Sequence, residues 1–317
     1  MSESANKSPA ISTRHLRKEY DKVVALSALD LEIPQGQICG LIGPNGAGKS
    51  TLMKILSTVI SPDFGYASVE GFDVHAQVLD VRRRVGFMPD FFALYENITC
   101  EDFLTYFGLA YGLDPATLPK RVDELLTLVN LTEKRKELIS GLSRGMRQRL
   151  VFVKTLIHDP PVLLLDEPLS GLDPKARIDM REALRALKNL GKTIIVSSHI
   201  LAELSDFCSY VVILEKGVLR ANGTVIDILT RIKGELQVSV EIIGPTDKAC
   251  GLLRNVPGVT LKTCDGQVIN FALAGERRVL AEINAALVNA GLGVISLSEK
   301  RGDIEDIYNK ISGNEVQ

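Results

Sequence analysis

The run Gly43-Pro44-Asn45-Gly46-Ala47-Gly48-Lys49-Ser50 fits the spacing G-x-x-x-x-G-K-[ST]. Glycines so spaced let backbone N–H groups turn towards phosphate oxygens, a lysine can reach the β and γ phosphates, and a hydroxyl can ligate Mg²⁺. Thr51 opens a helical segment whose positive N-terminal end points at the same place. A second reactive pair, Asp166 and Glu167, directly follows the apolar run Val162–Leu165. Phosphoryl transfer needs positioning and charge stabilisation more than covalent chemistry. Asp166 can hold Mg²⁺ through water, and Glu167 can orient or deprotonate an attacking water.

Both motifs depend on how the chain carries them. Ile38–Ile42 is a short apolar run typical of a buried strand, and it ends in glycine. Residues 51–59 then have helical spacing, with Leu52, Ile55, Leu56 and Val59 on one face. Upstream, the chain alternates from Ile11 and runs apolar from Val23 to Ile33. Val85-Gly86-Phe87-Met88-Pro89 reads as another strand and turn, and residues 99–157 carry a helical pattern opened by Thr99 and Asp102 as a capping box. Pro160-Pro161 stops that pattern. A helix over about 176–190, closed by Gly191 at its C′ position, precedes a strand at 193–197. Strand and helix in alternation predict an α/β fold with a mainly parallel sheet. That places Asp166 and Glu167 at a strand's C-terminal end, where open α/β sheets bind ligands. Beyond Thr230 the pattern becomes strand, helix, two strands around Asp265-Gly266, helix and strand, the βαββαβ order of a ferredoxin-like α+β domain. A domain boundary is expected near residue 232.

The segment Leu142-Ser143-Arg144-Gly145-Met146-Arg147-Gln148-Arg149 lies between the two motifs. It resembles the LSGGQ signature of the ATP-binding cassette (ABC) ATPases, in the form LSRGM. The resemblance covers about residues 10–230. It implies a P-loop NTPase core of the ABC type, with an antiparallel β subdomain and a helical insert over about 93–158. It also implies ATP and Mg²⁺ as ligands. Ser143 would cap a helix whose N-terminus, with the Gly145 N–H, presents donors to a γ-phosphate bound by the opposite subunit. Ser170-Gly171-Leu172-Asp173-Pro174 is similar to the family's D-loop. Ser198-His199 is similar to its switch histidine, a sensor of the γ-phosphate. Tyr20 stands where the family stacks an aromatic ring on adenine. One position departs from the pattern: Asp90 occupies the place of a glutamine that touches Mg²⁺ or its water and senses the transporter subunit. Aspartate can accept from a metal-bound water, but it is shorter and adds negative charge.

The resemblance thus assigns catalysis to Glu167 and His199. Nucleotide binding falls to Tyr20, residues 43–51, Ser143 and Gly145, and metal binding to Ser50, Asp166 and Asp90. One set of motifs implies a second copy of the chain or a similar ATPase subunit, and the lack of a membrane-spanning segment implies a separate transmembrane permease. The LSRGM form and the C-terminal extension lean towards export. A soluble ABC ATPase of DNA repair or translation would carry tandem cassettes or a long coiled coil. A kinase or GTPase would share only residues 43–50 and leave the signature helix and His199 unexplained.

Composition narrows the classes further. The 317 residues are 45% hydrophobic and 24% charged, the ordinary globular mix, and suggest two domains. A net charge of −2 gives no general pull towards nucleic acid or anionic lipid, so no nucleic-acid partner is expected. No apolar run reaches the 18 or so residues that span a bilayer, and the N-terminal MSESANKSPA has no apolar core of a secretory leader. The expected place is the cytoplasm, peripheral on the inner face of the cell membrane. Five cysteines, odd in number and without a CxxC pair, read as reduced packing residues. The aromatic-rich run Phe91-Phe92-Ala93-Leu94-Tyr95 is expected to form either a groove for a permease helix or part of the insert's core.

Overall fold

The computed structural model describes residues 8–199, 204, 207–225, 236–274 and 278–299. The chain divides into two compact units, Met1–Val225 and Ile226–Gln317.

The first unit contains a six-stranded sheet with β6 (Val85–Met88), β7 (Val162–Leu165), β8 (Thr193–Ser198), β3 (Ile38–Ile42), β9 (Tyr210–Glu215) and β10 (Val218–Thr224) side by side. The first five run parallel and β10 is antiparallel to β9. Parallel sheets are covered on both faces, so their strands read as continuous apolar runs. Every residue of β3, β7 and β8 is accordingly buried. A second, antiparallel sheet joins β2 (Val23–Ile33), β1 (Ile11–Tyr20), β4 (Phe64–Val69) and β5 (Phe72–Asp73). It shares one core with the parallel sheet, in which Leu26, Leu29 and Leu31 pack with Leu41, Leu164 and Ile195.

Three helices make the insert between β6 and β7: α3 (Cys100–Ala110), α4 (Leu118–Leu128) and α5 (Arg144–Thr155). Between α4 and α5 lie two short 3₁₀ turns. Thr99 caps α3 by accepting from the Asp102 N–H at 3.1 Å. In α4, Leu118, Val122, Leu125 and Leu126 form the buried face, the i, i+4, i+7, i+8 stripe of an amphipathic helix. Arg135 binds the Glu101 and Asp123 carboxylates and so ties the turn after α4 to α3 and α4. Among the other helices, α1 (Lys49–Leu56), α2 (Val78–Arg84) and α6 (Pro174–Asn189) follow β3, β5 and β7 respectively. The helix expected at 51–59 begins two residues earlier, so Lys49 and Ser50 belong to its first turn.

The second unit has the order β11 (Leu236–Ile243), α7 (Thr246–Arg254), β12 (Val259–Asp265), β13 (Val268–Leu273), α8 (Arg278–Asn289) and β14 (Gly293–Glu299). Its sheet is antiparallel, in the order β12-β13-β11-β14. Val238, Val240 and Ile242 alternate along β11 and bury one face with Ile269 and Phe271 against Leu253 of α7 and Ile283 and Leu287 of α8.

Candidate functional site

The loop from Gly43 to Gly48 leaves β3 at its C-terminal end and enters α1. Two of its glycines are demanded by contact. A Cβ on Gly43 would stand 2.2 Å from the Leu214 carbonyl oxygen, and one on Gly48, at φ +103°, 2.5 Å from that of Ala25. Gly48 is also the N-cap of α1 and offers no side chain to its first turn, so those N–H groups stay open to an anion. The Lys49 ammonium, nearly buried, donates to the Gly43 carbonyl at 2.6 Å and the Pro44 carbonyl at 3.1 Å. Burial pushes its pKa down, opposed by the negative charges of Glu167 and Asp166. This arrangement of open N–H groups and one cation fits the phosphates of a nucleotide.

The carboxylates reach the loop because the sheet order β3-β8-β7 puts the ends of β3 and β7 on the same edge, with β8 between. Asp166 is 3% exposed, and its N–H donates to Met88 O at 2.8 Å. Ser197, fully buried on β8, donates to Asp166 Oδ1 at 2.6 Å, and its oxygen accepts from the Glu167 N–H at 2.9 Å. Glu167 itself holds φ +51°, a left-handed backbone that costs about 1–2 kcal/mol in a residue with a Cβ. That turn aims its side chain at His199, whose Nδ1 lies 2.9 Å from Glu167 Oε1. The buried Gln148 of α5 donates to Pro168 O at 2.7 Å, which fastens the start of α5 to the same turn.

The candidates therefore fall into groups. Residues 43–51, Asp166, Glu167 and His199 gather at the C-terminal edge of the parallel sheet. Tyr20 sits at the β1–β2 hairpin, paired with Val23; the residue is 43% exposed, and the Lys18 ammonium lies 5.6 Å from its ring centroid. An open face is what stacking on a base requires. Asp90 is exposed two residues beyond β6, the strand beside β7. Ser143 caps α5 by accepting from the Met146 N–H at 3.3 Å. Among the described residues, no hydrogen bond or ion pair joins Ser143 or Gly145 to residues 43–51 of the same chain.

Among the described residues no group of three or more His, Cys, Asp or Glu side chains could hold a metal ion unaided. A site with few protein carboxylates suits Mg²⁺, which takes much of its coordination from phosphates and water. Neither Ser197 nor Gln148 is among the residues that the sequence assigns to the site. The available signal was a hydroxyl inside a buried apolar strand, since buried polar groups have partners.

Comparison with known proteins agrees with this geometry. The ABC transporter family profile matches residues 26–170. An uncharacterised ABC transporter ATP-binding protein of Synechocystis is 37% identical over 90% of this chain and 78% of its own length. The daunorubicin resistance ATP-binding protein DrrA3 of Streptomyces coeruleorubidus is 31% identical over 96% of both chains. The Nod factor export ATP-binding protein I of Cupriavidus pinatubonensis is 31% identical over 97% of this chain and 92% of its own. Among solved structures, the ATP-binding subunit of an ABC transporter superposes with a TM-score of 0.65 at 32% identity, over 70% of this chain and 92% of that one. A dimeric ATP-binding cassette carrying ADP and Pi shares the fold, with a TM-score of 0.63 at 23% identity, over 68% of this chain and 98% of that one. The chain belongs to the ATP-binding subunits of the ABC transporter family, and it is an ATPase of that family.

Proposed function

We propose that the chain powers an ABC exporter, working as one of two ATPase subunits on the cytoplasmic face of the membrane beside a separate transmembrane permease. Residues 43–51 bind the nucleotide's phosphates through loop and α1 N–H groups, with Lys49 reaching the β and γ phosphates and Tyr20 stacking on adenine. Ser143 and Gly145 of the second subunit complete the pocket. Ser50, Asp166 and Asp90 hold Mg²⁺, which neutralises developing charge on the phosphates when bound. Glu167 takes a proton from the attacking water at Oε1, and His199 holds that carboxylate and senses the γ-phosphate. Export is favoured by the names of relatives aligned over nearly the whole chain, which concern drug resistance and Nod factor export. No described helix is long and apolar enough to cross a membrane, and in this reading the pathway for cargo is supplied by another polypeptide. A groove of about 450 Å³ lined by Tyr95, Ile98, Asp102 and Tyr106 suits a short permease helix, and Phe91 beside it in sequence is 95% exposed. We assign the second unit a ferredoxin-like fold, on its sheet order, and a regulatory or dimer-stabilising role.

The observation that carries this reading is the contact of Glu167 with His199 at the end of a buried strand, on the sheet edge that carries Lys49. Glu167→Gln should retain ATP affinity, lower turnover about 10²- to 10⁴-fold, and trap an ATP-bound dimer. Steady-state ATPase rates and sedimentation with ATP check both parts. Wild-type turnover in the variant would remove Glu167 from catalysis. A species that stays monomeric with ATP at high concentration would remove the shared site.

A further inference from the structure

The second unit contains a thiol pair that the nucleotide site does not use. Cys250, buried on α7, and Cys264, exposed near the end of β12, place their sulfurs 2.7 Å apart. A disulfide bond is about 2.05 Å long, so closure needs a sulfur movement of about 0.7 Å. The two residues come from different elements joined by the turn at 255–258, and β12 is an edge strand whose strand partner is β13. The other three cysteines, Cys39, Cys100 and Cys208, are buried in the first unit. We propose that Cys250 and Cys264 form a dithiol modification site, which small-molecule disulfides convert to an intramolecular bridge pinning α7 to the edge strand β12.

The exposed thiol reacts first. The Cys264 thiolate attacks one sulfur of the oxidant, forms a mixed disulfide and expels one thiolate. Cys250 then loses its proton to solvent and attacks Cys264 Sγ, and the second thiolate leaves. The protein dithiol is oxidised by two electrons, and the oxidant is reduced to two thiols. Burial, with the contact to Cys264, pushes the Cys250 thiol up, which suits the resolving role rather than the first attack. The bridge closes a short loop in the unfolded chain and so raises the stability of the folded unit.

Full-length protein incubated with glutathione disulfide and mapped by mass spectrometry tests this directly. The expected product is a Cys250–Cys264 cross-linked peptide with loss of two hydrogens, while Cys39, Cys100 and Cys208 remain thiols. Cys250→Ser should stop at a stable glutathione adduct on Cys264, with no cross-link. A melting transition that rises with the oxidant in wild type, returns on adding reductant, and is insensitive to both in Cys250→Ser supports the tether. A wild-type protein that retains the glutathione adduct on Cys264 with Cys250 still free, or whose first-unit cysteines oxidise before this pair, overturns the proposal.

Discussion

At the scale of single residues, the D-loop and the signature helix meet at Gly171 and Arg144. Gly171 has φ +74°, and a Cβ there would lie 3.1 Å from the Arg144 guanidinium carbon and 3.1 Å from its Nε. Two penalties therefore attach to alanine at this position: a left-handed backbone costing about 1–2 kcal/mol, and displacement of the guanidinium. The signature form LSRGM, with arginine at its third place, thus depends on a glycine in a different motif. Gly171→Ala should lower both the melting temperature and the ATPase rate. Adding Arg144→Gly should restore part of the loss, since it removes the steric penalty and leaves the backbone one. A double-mutant cycle on the unfolding free energy measures the coupling. Strict additivity would show that the guanidinium simply swings aside.

At the scale of elements, His158 links the end of α5 to the strand that leads towards Asp90. Its Nε2 lies 3.2 Å from the carbonyl of Val85, the first residue of β6, and its ring stacks on Tyr111 with centroids 3.8 Å apart. Burial, with smaller repulsion from Lys154 and Lys192, lowers its pKa to about 4, and its Nδ1 is buried without a partner among the described residues. The imidazole is therefore neutral in the folded protein at neutral pH. The unfolded chain takes up this proton near pH 6.5, and the folded one only near 4, so the unfolded state binds more protons between those values. Stability is thus complete above about pH 6.5 and falls as pH drops towards 4. Allowing for partial solvent screening, about 1–2 kcal/mol should be lost between pH 7 and pH 5. His158→Phe keeps a ring to stack and removes the titration. Denaturant unfolding at the two pH values should then show a smaller difference than in wild type, and an unchanged difference would place the pH dependence elsewhere.

At the scale of the whole molecule, the chain comprises two compact units. All the candidate nucleotide chemistry lies in the first, while the second has its own apolar core of strands and two helices. A chain ending near Arg231 should still bind ATP, and isothermal titration checks it. Loss of nucleotide binding would make the second unit part of the catalytic fold. The groove lined by Tyr95 and Tyr106 makes a separate prediction. Tyr106 is 57% exposed, so Tyr106→Ala should weaken membrane association when the permease is coexpressed and leave the melting temperature of the isolated protein within about 1 °C. A clear drop in melting temperature would instead make these rings part of the insert's core.

Some of this architecture is local, and the sequence alone determines it. β3 and β7 begin and end where the apolar runs do, because a buried strand is a short apolar segment bounded by residues that cannot extend it, and β11 is marked by its alternation of apolar and polar residues. The caps Thr99 and Ser143 and the terminator Gly191 work through atoms three or four residues away, so they too are readable along the chain. The start of α1 at Lys49 is less legible, since a glycine-rich loop hides a first helical turn that needs no apolar residue. Tertiary structure alone decides the rest. Asp166 and Ser197 are 31 positions apart and meet because β7 and β8 pair in parallel at a given register. The left-handed Glu167, the hold of Gln148 on Pro168 and the approach of Cys250 to Cys264 likewise depend on packing between elements. Hydrophobic period and capping report what a segment is, whereas strand order and register are set by the collective burial of many segments, which no single stretch of sequence contains.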